Sequence, residues 1–334
     1  MAGLGLDVGT SFVIAARTEK DEEISYKEFR DAFYELKPNT PIQSKMIEKG
    51  LQGKKFLKQE DGSFLVLGQD AIEKAVERHD SASRPMYRGV LSPKEKNARK
   101  VLKVILHEVV GQPTEKGEKL FYSVPAQPVD QEDDGFDIGY HEDVLRQDLA
   151  EVGYDAHPIN EAEAICYSEL GEEDYTGIAL SFGAGMVNVC VMSNGESIST
   201  FATTKSGDWI DRMVGVATAQ PDSVIQAEKE AGGFTVGKEA EEQIQSALAS
   251  YYSRLIEYTV KQLSAALSRS GQLPKFKEPL VIVISGGTSR AAGFVESFSE
   301  RVEQIGLPVQ VKEIRHAKDP LRAVARGCLI AAQL

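Results

Sequence analysis

Cysteine, histidine and tryptophan are scarce in this 334-residue chain, at three, five and one. Cys166, Cys190 and Cys328 lie far apart and in apolar company, which excludes a disulfide framework and reads as buried free thiols in a reducing compartment. The histidines, at 79, 107, 141, 157 and 316, lack metal-ligand spacing. No run of 18 apolar residues occurs, and no charged start leads into an apolar segment. The expectation is a soluble, cytoplasmic protein without direct membrane insertion. Basic residues are outnumbered, 38 Lys and Arg against 51 Asp and Glu, for a net charge of -13. That balance argues against bulk affinity for nucleic acid or anionic lipid. A nucleotide would have to be held by backbone donors and a metal.

What remains is a globular composition, 42% apolar and 27% charged, at a length that suits about two domains. The chain opens on Gly3-Leu4-Gly5-Leu6-Asp7-Val8-Gly9-Thr10-Ser11, a buried strand breaking at a glycine turn, and Val13-Ile14-Ala15-Ala16 returns as a strand. A glycine at the tip lets N–H groups approach an anion, and Thr10 and Ser11 add hydroxyl donors. Asp7 repels phosphate unless a divalent cation, a hydrated Mg²⁺, lies between them. By itself such a stretch is more simply an ordinary hairpin. A second copy changes that reading: Gly177-Ile178-Ala179-Leu180-Ser181-Phe182-Gly183-Ala184-Gly185 repeats strand into turn, and residues 187–192 return. Two such hairpins imply a duplicated fold, with a phosphate turn facing a cleft from each half.

Helices are expected over 70–78, 95–110, 142–152, 161–170 and 239–268, the last with a core stripe from Ile244 to Leu267. Strands are expected over 64–67, 119–125, 156–159 and 309–314. Residues 19–60 are charged and weakly periodic, and residues 127–139 form an acidic loop. Leu280-Val281-Ile282-Val283-Ile284 reads as a strand buried on both faces, emptying into Ser285-Gly286-Gly287-Thr288-Ser289. A helix over 320–332 closes the chain.

Together these stretches resemble, in order, the actin, heat-shock-chaperone and sugar-kinase superfamily of ATPases. Residues 6–11 and 181–185 are similar to its two phosphate motifs, residues 142–153, 160–164 and 323–327 to its linking helices, and residues 284–289 with Gly293 to its adenosine motif. MreB-type prokaryotic actins look nearest, through Arg84-Pro85-Met86-Tyr87-Arg88-Gly89-Val90, Val66-Leu67-Gly68-Gln69-Asp70-Ala71 and Ser206-Gly207-Asp208-Trp209-Ile210-Asp211. The resemblance implies an α/β, duplicated ribonuclease-H-like actin fold with two domains around a nucleotide cleft. Residues 1–158 with 320–334 would form domain I, its peripheral subdomain at about 19–90. Residues 159–319 would form domain II, its peripheral subdomain at about 215–255.

The resemblance also implies roles. Asp7 would orient the water shell of Mg²⁺. Gly9, Thr10 and Ser11 would cradle the β-phosphate of ATP or ADP, and Gly183, Ala184 and Gly185 would close on the γ side. Gly286, Gly287 and Thr288 would lie against adenosine, Gly207 and Asp208 beside sugar and phosphates, and Glu228 on the ribose. Glu142, Asp143 and Gln147 compete as the side chain that orients the attacking water, with Glu161 a further acid near the cleft. Ser181 departs from the pattern, which has an Asp there. A hydroxyl holds Mg²⁺ more weakly, so turnover should be slow, and Ser181→Asp should raise phosphate release. The resemblance implies a filament built from copies stacked head to tail, with adaptor proteins as further partners. The alternative is a monomeric, chaperone-like or regulatory module acting on another protein.

Overall fold

The computed structural model describes residues 3–19, 23–131, 136–269, 274 and 276–334. The chain opens with three antiparallel strands, β1 (Leu4–Val8), β2 (Phe12–Thr18) and β3 (Ile24–Arg30). A peripheral unit follows: β4 (Phe33–Leu36), α1 (Pro41–Gly50), β5 (Phe56–Lys58), β6 (Phe64–Leu67), α2 (Gln69–Glu77) and the short pair β7 (Met86–Tyr87) and β8 (Val90–Leu91). Then come α3 (Ala98–Val110), β9 (Lys119–Val124), α4 (Ile138–Val152), β10 (Asp155–Asn160) and α5 (Glu161–Glu169).

The second half begins with β11 (Gly177–Phe182), β12 (Val187–Ser193) and β13 (Glu196–Thr203). It continues with α6 (Gly207–Thr218), α7 (Asp222–Ala231), α8 (Gln243–Arg269), β14 (Leu280–Ser285), α9 (Phe294–Ile305), β15 (Val311–His316) and α10 (Ala323–Gln333).

The duplication is visible in the sheets. One runs β3-β2-β1-β9-β10 and the other β13-β12-β11-β14-β15. In each, an antiparallel meander of three strands is extended by two parallel strands beside its first. β14 reads Leu-Val-Ile-Val-Ile-Ser because it is buried along its whole length between β11 and β15. Helices α6, α8 and α9 enclose the core of the second sheet, and α3 and α4 that of the first.

Between the halves lie α5 and α10, whose buried positions are mostly small residues. A Cβ on Gly5 would fall 2.1 Å from the carbonyl oxygen of Ala325, so β1 and α10 touch backbone to backbone. The small residues alternating with Leu4 and Leu6 are therefore the seat of α10.

Local differences from the sequence reading have physical causes. α4 starts four residues before 142, because Asp137 caps it by accepting the N–H of Tyr140 at 2.9 Å. Residues 24–30 form the third strand of the main sheet, so the peripheral unit begins after them. α1 and β13 give no apolar periodicity: α1 has no buried residue and β13 alternates weakly. Of the acidic loop, residues 132–135 lie outside the described residues.

His141, fully buried on α4, accepts the N–H of Leu91 at Nδ1, 3.2 Å away, so it is held neutral with its proton on Nε2. Burial pushes its pKa down to about 4. An unfolded histidine titrates near 6.5, so this site takes no stability away above that pH and removes up to about 3 kcal/mol as the pH falls through 4. Asn at 141 offers an oxygen to Leu91 without titrating. Urea unfolding at pH 7 and pH 5 should therefore show a shallower acid loss in His141→Asn than in the parent.

Candidate functional site

The two hairpin turns are closed alike. Gly9 N–H donates to the carbonyl of Phe12 at 2.9 Å, and Gly183 N–H to that of Met186 at 3.0 Å. Each turn has an acid beside it. Asp7, half-buried on β1, accepts the hydroxyl of Ser123 at 2.8 Å, and Ser123 Oγ in turn accepts the N–H of Val8 at 2.9 Å. β9 thus fixes the Asp7 carboxylate through one serine.

At the second turn the acid comes from a different element. Ser181, at the end of β11 and only 1% exposed, donates its hydroxyl to Glu161 Oε1 at 2.6 Å. Glu161 Oε2 accepts the amide of Asn188 at 2.8 Å, whose own oxygen accepts the N–H of Ala126 at 2.8 Å. Ser181 and Asn188 are register partners across the hairpin, a polar pair in otherwise apolar strands. Glu161 heads α5, where Asn160 caps the helix through the N–H groups of Ala162 and Glu163. A Cβ on Gly183 would lie 3.9 Å from Glu161 Oε1, which places the carboxylate against the second turn.

Burial raises the pKa of both acids above the ordinary carboxylate range. The charge of Asp7 adds to the effect on Glu161, while hydrogen bonds from Ser123 and Ser181 pull the other way. Among the described residues neither acid has a cationic partner.

The remaining motif residues converge on these turns. Gly286, at φ +91°, lets β14 pass β11, since a Cβ would meet the carbonyl oxygen of Phe182 at 2.3 Å. Thr288 donates its hydroxyl to the carbonyl of Gly183 at 2.9 Å, and Gly207 N–H reaches the same oxygen at 3.2 Å. Asp208 N–H bonds the carbonyl of Ala184 at 2.8 Å. Gly287 is exposed at the start of a single helical turn. Thr10 accepts the N–H of Gly89 at 3.0 Å, and a Cβ on Gly185 would fall 2.4 Å from that hydroxyl. The two turns therefore touch, with the 84–90 segment wedged beside them. Ser11 is committed through its carbonyl to Asp31 N–H.

Two arginines of the first half close the roof. Arg84 bonds Asp208 at 2.6 Å, and Arg30 bonds Glu230 at 2.6 Å. Asp208, expected beside sugar and phosphates, is thus engaged across the cleft.

The other expected polar side chains make their contacts outside these turns. Asp143 is exposed and pairs with Arg146 at 3.3 Å, and Gln147 is exposed against Arg99. Glu142 is half-buried, and its main-chain oxygen accepts the Tyr122 hydroxyl. Glu228 faces solvent on α7, while its neighbour Lys229 turns in to the carbonyl of Gly207 and to Asp211. Sequence reasoning missed Ser123, Asn188 and Lys229. The facing pair Ser181 and Asn188 was the signal available for one of them.

Among the described residues no group of three or more His, Cys, Asp or Glu could hold a metal ion, and no helix is long and apolar enough to cross a membrane. Two acids beside phosphate-type turns, without a cationic partner among the described residues, still fit Mg²⁺. That ion keeps several waters and commonly takes one or two carboxylates together with substrate phosphates.

Comparison with solved structures gives full-length likeness. The MamK double helical filament has 18% identity and a TM-score of 0.71, covering 100% of this chain and 99% of that one. MreB 5 of Spiroplasma citri bound to AMPPNP has 15% identity and a TM-score of 0.65, covering 98% and 95%. Ethanolamine utilization protein EutJ from Carboxydothermus hydrogenoformans has 13% identity and a TM-score of 0.56, covering 99% and 90%. At these identities the likeness establishes an actin-like fold. No curated protein matches the chain in sequence. The family model for Volactin matches residues 1–332, and the chain is a member of that family.

Proposed function

We propose that this protein binds ATP and ADP with Mg²⁺ between its two halves, hydrolyses ATP slowly, and assembles into head-to-tail filaments. The observation that carries the reading is the pair of matched turns, each with its own acid and neither acid with a cationic partner among the described residues. The solved relatives agree in kind: MreB5 is bound to AMPPNP or ADP, and MamK forms a filament.

Phosphoryl transfer to water depends on positioning and charge stabilisation more than on covalent help. The backbone N–H groups of Thr10 and Ser11 would hold the β-phosphate, and those of Ala184 and Gly185 the γ-phosphate. Bound Mg²⁺ would neutralise the phosphates, with Asp7 and Glu161 ordering its water shell. Glu161 is the better placed of the named acids to orient the attacking water, because its carboxylate is already fixed by Ser181 and Asn188. Thr10 and Gly185 lie against each other across the cleft, so a phosphate seated between them would set the separation of the two turns. Nucleotide that favours one cleft geometry then biases subunit association.

Light scattering and negative-stain imaging with Mg²⁺ and ATP, with ADP, and without nucleotide test the proposal. Filaments in at least one nucleotide state, with a response that differs between states, are expected. A monodisperse protein in every state, across protein concentrations and salts, would overturn the filament reading.

A further inference from the structure

The tip of the peripheral unit has a character unlike the rest of the surface. α1 has no buried residue, and only its Ile47 leans on the small core of Leu36, Leu51, Phe64 and Val66. Its opposite side carries Ile42, Lys45, Met46 and Lys49, spaced i, i+3, i+4 and i+7, which is a single stripe on a helix. Ile42 and Met46 are 73% and 68% exposed. Lys45 and Lys49 make no ion pair among the described residues. Beside α1 opens a groove of about 450 Å³ lined by Lys45, Lys49, Lys54 and Phe56 among others. Residues 37–58 hold six lysines and one glutamate, in a chain whose net charge is -13.

Such a stripe suits either an anionic membrane or an acidic protein. Two apolar side chains on a ten-residue helix bury too little to hold a membrane, and the acidic remainder of the chain repels anionic lipid. An acidic protein surface has no such conflict, and the chain supplies one. Residues 171–175 read Gly-Glu-Glu-Asp-Tyr, with Glu172 and Asp174 exposed and Tyr175 39% exposed beside them. This loop leads into β11, whose far end carries the Gly183 turn. It therefore lies a strand length, roughly 20 Å, from the cleft. α1 belongs to the unit that joins the cleft side, through Gly89 on Thr10 and through Ala82 N–H on the Ser223 hydroxyl. The acidic loop is thus at the end of β11 away from the cleft, while the basic tip belongs to a unit that joins on the cleft side, a disposition that suits a heterologous, head-to-tail contact.

We propose that the basic, apolar-edged surface of α1 is the docking site for a second copy of this chain, which enters with its acidic 171–175 loop. The inference rests on the filament reading and names the contact that builds the filament. Carboxylates of the loop meet Lys45 and Lys49, and Tyr175 covers the apolar edge given by Ile42 and Met46. Assembly held by such a contact weakens as salt rises.

The test is sedimentation of the full chain with Mg²⁺ and ATP, comparing the parent with Lys45→Glu/Lys49→Glu and with Glu172→Lys/Asp174→Lys. These residues are exposed and outside the nucleotide cleft, so unchanged nucleotide affinity certifies the fold of each variant. The parent is expected to pellet, and each double variant alone to need at least about ten times more protein, since like charges then face each other. Mixed together, the two variants restore opposite charges at every junction and should pellet as the parent does. Pelleting of Lys45→Glu/Lys49→Glu at the parent's concentration would overturn this inference and leave the filament reading intact. Loss in both variants without rescue on mixing would overturn the assigned pairing. Failure of the parent to assemble in any nucleotide state would overturn the filament reading, and the inference with it.

Discussion

Glu161→Gln is expected to bind ATP yet lose most of the gain in affinity that Mg²⁺ confers, and to release phosphate about 10²- to 10³-fold more slowly. The substitution keeps the volume of the side chain and removes its charge. It also spoils the local hydrogen bonding. Ser181 and Asn188 both donate to the carboxylate, and the Asn188 oxygen is already committed to Ala126. A glutamine can offer an oxygen to only one of the two donors, leaving an N–H₂ group facing the other. Titrating Mg²⁺ into the protein with ATP present measures the loss, expected at tenfold or more.

The same acid gives the binding a pH dependence of known sign. Burial and the nearby Asp7 keep Glu161 protonated at pH values where an exposed glutamate is ionised. A cation favours the ionised form, so binding releases protons and affinity for Mg²⁺ with nucleotide falls as the pH drops from about 8.5 towards 6. In Glu161→Gln that slope should be shallower, with Asp7 alone contributing to it.

This arrangement reverses the sequence-based expectation for Ser181→Asp. An aspartate there meets a carboxylate that its own hydroxyl now touches at 2.6 Å. Two buried like charges at that range cannot both ionise, so the change should lower phosphate release rather than raise it. Faster release in Ser181→Asp would show that residue 181, and not Glu161, is the position that wants the acid.

The duplicated strand-and-turn pattern made the fold legible, because a mostly buried strand of five or six residues followed by a glycine turn appears twice with little to imitate it. The convergence of residues 183–185, 207–208 and 286–288 also followed from motif order. The acids did not. Helical spacing places Glu142, Asp143 and Gln147 near the start of α4, but their exposure is decided by how α4 rolls onto α3, where Arg99 and Arg146 draw two of them outward. Glu228 and Lys229 differ by one residue on α7, and only the packing of that helix tells which turns inward. The roof pairs join Arg84 to Asp208 and Arg30 to Glu230, 124 and 200 residues apart in sequence, a separation no local pattern reports.

Gly327→Ala is expected to destabilise the protein by about 3 kcal/mol or more, although glycine to alanine inside a helix normally gains up to about 1 kcal/mol. A Cβ at 327 would fall 1.8 Å from the carbonyl oxygen of Ala164 and 2.4 Å from its carbonyl carbon. Both belong to helix backbone, so no side chain can swing away, and α10 must lift off α5 by more than an ångström. It cannot lift freely, because its other side is seated on Gly5, where Ala325 and Leu329 already touch β1. Gly50→Ala is the control, since an added Cβ there meets nothing within 4 Å. Urea midpoints should move in opposite directions for the two variants. The crossing also has a bearing on the cleft: α5 begins at Glu161, and α10 rests on the strand that carries Asp7. A variant that folds with the helices forced apart separates the two acids, so Gly327→Ala should weaken the response to Mg²⁺ even in conditions where it remains folded. An unaltered Mg²⁺ response in the folded variant would mean that the acids are set by their own strands and turns, independently of the helix crossing.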